Sequence, residues 1–242
     1  MRNLLDAAPL LRYQRAMRWA PLSLVLLCSL SAAAPPSAPQ EENRRAHVHH
    51  IHQDPAAYIA AMESPERDRW QRPEVLLTAL GVRAGQHVAD VGAGPGYFTR
   101  RLARRVGDGW VFAVDVDPHM LQALHERLRQ DGVDNVTTIL SSPDDPLLPD
   151  RSVDWVLLVD VYHHLGDRPA YLRRLARALR PGGRIAVVDF HKRPLPVGPP
   201  VDMKVTPEQV VADAARAGLR LLPGPPADLL PYQYVLLFAP AR

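Results

Sequence analysis

Cysteine is almost absent from this chain of 242 residues: Cys28 is the only one, so an internal disulfide framework is excluded. Lysine is nearly as scarce and stands only at 192 and 204, while arginine, alanine and proline abound, a bias we read as GC-rich coding and not as selection for guanidinium chemistry. Aromatic residues make up 6%. An excess of one charge is also missing from the body of the chain. The formal net charge is +3, but Arg2, Arg12, Arg15 and Arg18 face only Asp6 within residues 1–34, and the remainder is balanced. Nonspecific nucleic-acid binding needs a clustered positive surface that releases counterions, so no nucleic-acid partner is expected. Arg100, Arg101, Arg104 and Arg105 recur at helical spacing and are expected to line a solvated helix face.

What is present at the N-terminus is an apolar run, Trp19 to Leu30, preceded by arginines and followed by Ser31-Ala32-Ala33-Ala34. That order resembles a secretory signal, and the run is short for a transmembrane helix. Residues 1–34 are therefore expected to be a signal-like leader. The chain would be exported or periplasmic, or anchored by an uncleaved leader, with membrane contact only there. Met17 would open a more compact leader, which points to an over-extended start. If the leader is an artefact of that start, the protein is cytoplasmic. Residues 35–53 follow as a linker or arm. Pro35 to Gln40 cannot continue a helix, and His47, His49, His50 and His52 crowd together beyond it. No cysteine or close carboxylate pair completes a site around these imidazoles, so a polar arm is favoured and no metal is assigned.

Residues 54–242, with a chain-wide hydrophobic content of 47%, suffice for one core. Apolar Tyr58, Ile59 and Met62 suggest a short helix, and Pro73 to Leu80 a second. Strands are expected at His87 onward, Trp110–Asp115, Val136–Leu140, Val153–Val159 and Ile185–Phe190. Helices are expected at Ala170–Leu179 and Pro207–Ala217, and two last strands at Leu219–Leu222 and Tyr232–Ala239. Strands alternating with helices imply an α/β domain with a largely parallel sheet.

The most informative stretch is His87 to Arg100, HVADVGAGPGYFTR, an apolar strand running into a glycine-rich turn and then a helix. Gly92, Gly94 and Gly96 let the backbone approach a ligand closely, and Asp90 sits at the strand's end. Asp115 ends the next strand at about the 20-residue interval at which such folds place an acid on a ribose. Leu179 to Gly183, LRPGG, stands just before IAVVDF. With these motifs in this order, residues 70 to 240 resemble a class I S-adenosylmethionine-dependent methyltransferase of the ubiquinone-biosynthesis-like branch. The resemblance implies a doubly wound, seven-stranded Rossmann-like sheet of order 3-2-1-4-5-7-6, its last strand antiparallel, with helices on both faces. It implies S-adenosylmethionine as cofactor and a small-molecule acceptor. The three glycines would admit the cofactor backbone-close, and Asp115 would hold the ribose hydroxyls. Asp90 would orient the methionine amino end, and Val116 and Met120 would lie near the adenine. The family commonly has an acid after the third strand. Here the aligned residue is Ser142, which leaves Asp144 or Asp145 to reach the adenine amino group or simply to solvate a turn.

Ligands in such sheets sit beyond the carboxyl ends of the strands. Asp160-Val161-Tyr162-His163-His164-Leu165 opens there, with Asp160 assigned to the cofactor. An acceptor that must lose a proton needs a base, a role for His163 or His164, while Tyr162 would orient the acceptor or face the cofactor. A hydrogen-bonded structural role is the alternative for each histidine. Trp70 and Gln71 either face the methionine end or, for Trp70, pack in the core. His191 to Pro200 is a proline-stiffened loop over the same crevice, where His191 or Lys204 would meet an anionic acceptor. Two further functions stay open: a non-catalytic S-adenosylmethionine-binding protein, and a nicotinamide-linked oxidoreductase, disfavoured because no second catalytic domain follows.

Overall fold

An apolar run that does not alternate must be covered on both faces, and Val153–Val159, VDWVLLV, is such a run. In the computed structural model, which describes residues 55–241, it lies in the middle of a seven-stranded sheet. In chain order the elements are α1 Pro55–Met62, α2 Glu66–Gln71, α3 Pro73–Leu80, β1 His87–Val91, α4 Thr99–Val106, β2 Trp110–Asp115 and α5 Pro118–Asp131. They continue with β3 Val136–Leu140, β4 Val153–Val159, a 3-10 turn Tyr162–His164, α6 Arg168–Ala178, β5 Leu179–Phe190, α7 Pro207–Arg216, β6 Leu219–Leu222 and β7 Gln233–Pro240.

The sheet order is β3-β2-β1-β4-β5-β7-β6, parallel except for β7, which runs antiparallel to β5 and β6. This is the doubly wound order that the family resemblance implies. Residues of β4 divide between two apolar clusters. Val156 and Leu158 join Tyr171, Leu172 and Leu175 of α6 with Val210 and Ala214 of α7. Trp155, Leu157 and Val159 join Leu76, Leu77 and Leu80 of α3 with Leu102 and Val106 of α4. The strand order reverses between β1 and β4, so the loops after these two strands open the crevice at the carboxyl edge.

Several expectations are corrected. The helix expected to reach Leu179 ends at Ala178, because Leu179 already pairs with Val153 as the first residue of β5. The next matched pair is Trp155 with Arg184, so Arg180-Pro181-Gly182-Gly183 forms a bulge inside β5 and not a loop before it. Pro181 has no N–H for the ladder, and Gly182 takes φ +84°, which is why a PGG run suits this excursion. Helix α7 stops at Arg216, with Gly218 in the left-handed region just beyond.

Of the four arginines of α4 expected on a solvated face, Arg104 is exposed, but Arg100, Arg101 and Arg105 are half-buried and engaged. Arg100 pairs with Glu63 at 3.3 Å and Asp131 at 2.8 Å, Arg101 with Asp68 at 3.0 Å, and Arg105 donates to the Val82 carbonyl at 3.0 Å. Through Glu63, Asp68 and Thr78 these arginines tie α4 to the helices that precede β1. The expectations for the leader, for the proline-rich linker and for the four clustered histidines concern residues 1–53, outside the described residues.

Candidate active site

Gly92, Gly94 and Gly96 all take positive φ, at 74°, 53° and 102°, a region that costs any other L-residue roughly 1–2 kcal/mol. Space matters as much as angle. A Cβ on Gly92 would overlap Val161, and one on Gly96 would overlap Leu124 of α5. At Gly94 it would lie 2.6 Å from Met62 Cε, so the end of α1 rests against the middle of the turn. The turn is tied to β2: the N–H groups of Gly92 and Ala93 donate to the Val114 carbonyl at 2.7 and 3.0 Å.

Asp115 closes the cradle from the end of β2. Its Oδ2 accepts from the Gly94 N–H at 2.7 Å and its Oδ1 from the Asp117 N–H at 2.9 Å. Burial raises its pKa, and these two backbone donors oppose the rise. Each oxygen keeps acceptor capacity, the condition for receiving a ribose diol. Val116, the next residue, is 45% exposed despite being apolar, which suits the edge of an adenine, whereas Met120 on the first turn of α5 is buried. Beyond β3, Asp145 serves the turn itself, accepting from the Leu147 N–H at 2.9 Å and pairing with Arg174 at 3.2 Å. Asp144 is exposed on that turn, its carbonyl accepting from Arg174.

The floor of the cradle is acidic. Asp90 is buried at the end of β1 and accepts from Thr99 Oγ1 at 2.6 Å; burial pushes its pKa up to about 6. Asp160, just past β4, takes φ +61° and accepts from Gln233 Nε2 of β7. Burial, opposed chiefly by Arg67, lifts its pKa to about 7. Arg67 of α2 reaches Asp160 Oδ2 at 3.3 Å, and its guanidinium lies 4.1 Å from the centre of the Tyr97 ring. Gln71 donates to Gln233 at 2.5 Å and so extends the same network instead of facing a ligand. Trp70 packs on Phe190 and Tyr232, at 5.6 and 6.4 Å between ring centres.

At the ends of β4 and β5, His163 and Asp189 form a buried pair. Nδ1 of His163 lies 2.9 and 3.0 Å from the two Asp189 oxygens, and the His163 N–H donates to Oδ2 at 3.1 Å. The Asp189 carboxylate has no solvent exposure and also accepts from the Phe190 N–H at 2.7 Å. A carboxylate on Nδ1 selects the tautomer with its proton there, leaving Nε2 as the basic nitrogen. The His164 ring packs 4.1 Å from that of His163 and is more exposed. Asp189 escaped the sequence reading, although one acid inside the otherwise apolar IAVVDF was its signal.

Tyr162 does not open onto the crevice. It is fully buried, and its hydroxyl donates to Asp213 of α7 at 3.0 Å, with burial raising its pKa. The residue is a strut between the 3-10 turn and α7. Lys204 is similarly spent: buried, it donates to the Arg193 carbonyl at 2.8 Å and braces the 191–206 loop.

Residues 88–183 match the family model of a methyltransferase domain. The chain is 38% identical over 121 residues to a demethylmenaquinone methyltransferase of Tropheryma whipplei, covering 50% of this chain and 48% of that protein. It is 35% identical over 130 residues to the ubiquinone/menaquinone biosynthesis C-methyltransferase UbiE of Hahella chejuensis, covering 53% and 51%. The chain thus spans about half the length of the curated relatives it matches. A solved S-adenosylmethionine-dependent methyltransferase from Aquifex aeolicus superposes with a TM-score of 0.71 at 28% identity, covering 76% of this chain and 97% of that one. The strand order and the glycine cradle agree with these likenesses: residues 88–183 are similar to a methyltransferase domain, and the sheet is similar to that of a solved S-adenosylmethionine-dependent methyltransferase.

Proposed function

We propose that this protein transfers a methyl group from S-adenosylmethionine to a small-molecule acceptor whose reacting atom must give up a proton. The observation that carries the proposal is the joining of two halves at one sheet edge: a positive-φ glycine cradle closed by Asp115, and the His163–Asp189 pair at the ends of β4 and β5. The residues suit the cofactor, since the turn admits no side chain and Asp115 retains acceptor capacity. When bound, S-adenosylmethionine supplies an electrophilic methyl on a sulfonium.

The chain's own work is alignment and proton handling. Gly92–Gly96 and Asp115 would fix the nucleoside, and Asp90 and Asp160 would face the positively charged methionine end. Methyl transfer is an in-line displacement, so holding donor and acceptor in register and dry contributes much of the rate. His163, its Nδ1–H held by Asp189, would take the acceptor's proton on Nε2 as the new bond forms. The likeness to a demethylmenaquinone methyltransferase makes demethylmenaquinone the first acceptor to try. Isothermal titration with S-adenosylmethionine, S-adenosylhomocysteine and NAD tests the cofactor half. Mass analysis of metabolites incubated with protein and methyl-labelled S-adenosylmethionine tests transfer. Binding of NAD but not of S-adenosylhomocysteine would overturn the proposal, and binding of S-adenosylhomocysteine with no labelled product would favour a non-catalytic binding protein.

A further inference from the structure

The cradle poses a charge problem. Asp90, Asp115 and Asp160 stand at the ends of β1, β2 and β4, and three carboxylates suit an ammonium, a sulfonium and a ribose diol. None of them suits the α-carboxylate of the same ligand, which would repel all three. Arg67 is the cation set among them. Its side chain is 11% exposed, it pairs with Asp160 at 3.3 Å, and its field also bears on Asp90. It is stacked on the ring of Tyr97, the residue that follows Gly96, and hence sits at the rim of the glycine turn.

The hold on Arg67 is loose. Its contacts to Asp160 and Gln71 are both 3.3 Å, and its bond to the Met62 carbonyl is 3.1 Å. Well-made charged pairs run nearer 2.7–2.9 Å. A guanidinium has five N–H donors in a fork matched to a carboxylate, and three are engaged here, which leaves two. The stacked, mostly buried side chain has little rotamer freedom left to lose.

We propose that Arg67 is the residue that receives the α-carboxylate of the methionine moiety, with Asp160 left to face the ammonium. The inference rests on the proposed cofactor. Arg67 lies on α2, outside the glycine cradle, so α2 becomes part of the cofactor site and not merely a cover. Because Met62, against Gly94, is tied to the same guanidinium through its carbonyl, cofactor binding and the seating of the end of α1 share one side chain.

The test uses the full chain and two probes, S-adenosylhomocysteine and its decarboxylated form, which keeps the ammonium and lacks only the carboxylate. The wild type is expected to prefer S-adenosylhomocysteine by roughly 10- to 100-fold, the scale of a charge-assisted pair. Arg67→Met should erase that preference by weakening S-adenosylhomocysteine alone, and Arg67→Lys should restore part of it. Asp160→Asn removes the ion pair but keeps Arg67, so it should retain the preference for the carboxylate. Equal weakening of both probes in Arg67→Met means that the residue only seats α2, and overturns the inference. So does an unchanged preference. A wild type that binds neither probe overturns the cofactor assignment and the inference together, whereas a wild type that binds both equally overturns the inference alone.

Discussion

The two sides of the crevice are built by different means. The proposed cofactor side is local: Gly92, Gly94, Gly96 and Asp115 fall within one β-turn-α-β unit, and the cradle is largely backbone, held by N–H groups on Val114 and Asp115. The proposed acceptor side, His163 with Asp189, and the proposed methionine end, Asp160 with Arg67, are assembled from afar. His163 meets Asp189 across 26 residues, Asp160 meets Gln233 across 73, and Arg67 meets Asp160 across 93. A backbone cradle tolerates few residue types but asks little of the remaining fold. A side-chain cluster asks that β4, β5, β7 and α2 all arrive in register, and it can change chemistry by changing one residue.

If that division is right, the largest losses of rate come from the acceptor side with the cofactor still bound. His163→Gln and Asp189→Asn should each lower single-turnover methyl transfer about 10²- to 10⁴-fold, the usual range for general acid–base catalysis. Asparagine can present an amide N–H to Nδ1 and so favour the tautomer with its proton on Nε2. Affinity for S-adenosylhomocysteine should stay within about twofold in both variants. A loss of cofactor affinity equal to the loss of rate would make the pair a loop brace and erase the distinction between the two sides.

The division also explains what the sequence made legible. Val136–Leu140, Val153–Val159 and Pro73–Leu80 begin and end where apolar pattern and proline place them, because short-range forces set those limits. The cradle and the sheet order followed from the glycine run, the spacing to Asp115 and the resemblance they support. Tyr162 read as a crevice residue because position after β4 says nothing of side-chain direction; only the packing of α7 reveals that its hydroxyl belongs to Asp213. Arg100, Arg101 and Arg105 read as solvated for the same reason, since their acidic partners and acceptor carbonyls lie on other elements.

On the cofactor side the expected penalties are steric. Gly92→Ala adds a methyl that overlaps Val161 while forcing a strained φ, and should cost about 2–4 kcal/mol in stability and cofactor binding combined. Gly94→Ala should cost less, about 1–2 kcal/mol, because the atom in its way is the mobile end of Met62. Thermal denaturation with and without S-adenosylhomocysteine checks the ranking; equal costs at the two positions would mean that strain in φ dominates and space does not. Asp115→Asn should weaken S-adenosylhomocysteine by about 1–3 kcal/mol in a folded protein, and unchanged affinity by titration would remove the ribose assignment.

The smallest expected effect crosses the boundary between the two sides, because Asp160 belongs to both. Burial raises Asp90 to about 6 and Asp160 to about 7 in the free protein. An acid whose pKa is raised by folding binds its proton more tightly when folded. The stability it contributes is therefore complete below about pH 4, the unfolded value, and is lost as pH climbs through 6 and 7. Ligand affinity runs the other way. A bound ammonium and sulfonium favour the ionised carboxylates, lower both pKa values and release protons; a lowering of about half a unit in each raises affinity for S-adenosylmethionine by up to about threefold per group between pH 5.5 and 7.5. Titration at pH 6.5 in two buffers of different ionisation enthalpy measures that release directly. Asp160→Asn should remove its larger share and flatten the matching loss of ligand-free stability over the same interval. Proton uptake on binding, or a ligand-free wild type that gains stability over this window relative to Asp160→Asn, would contradict the assignment of these acids to the cationic end of the cofactor.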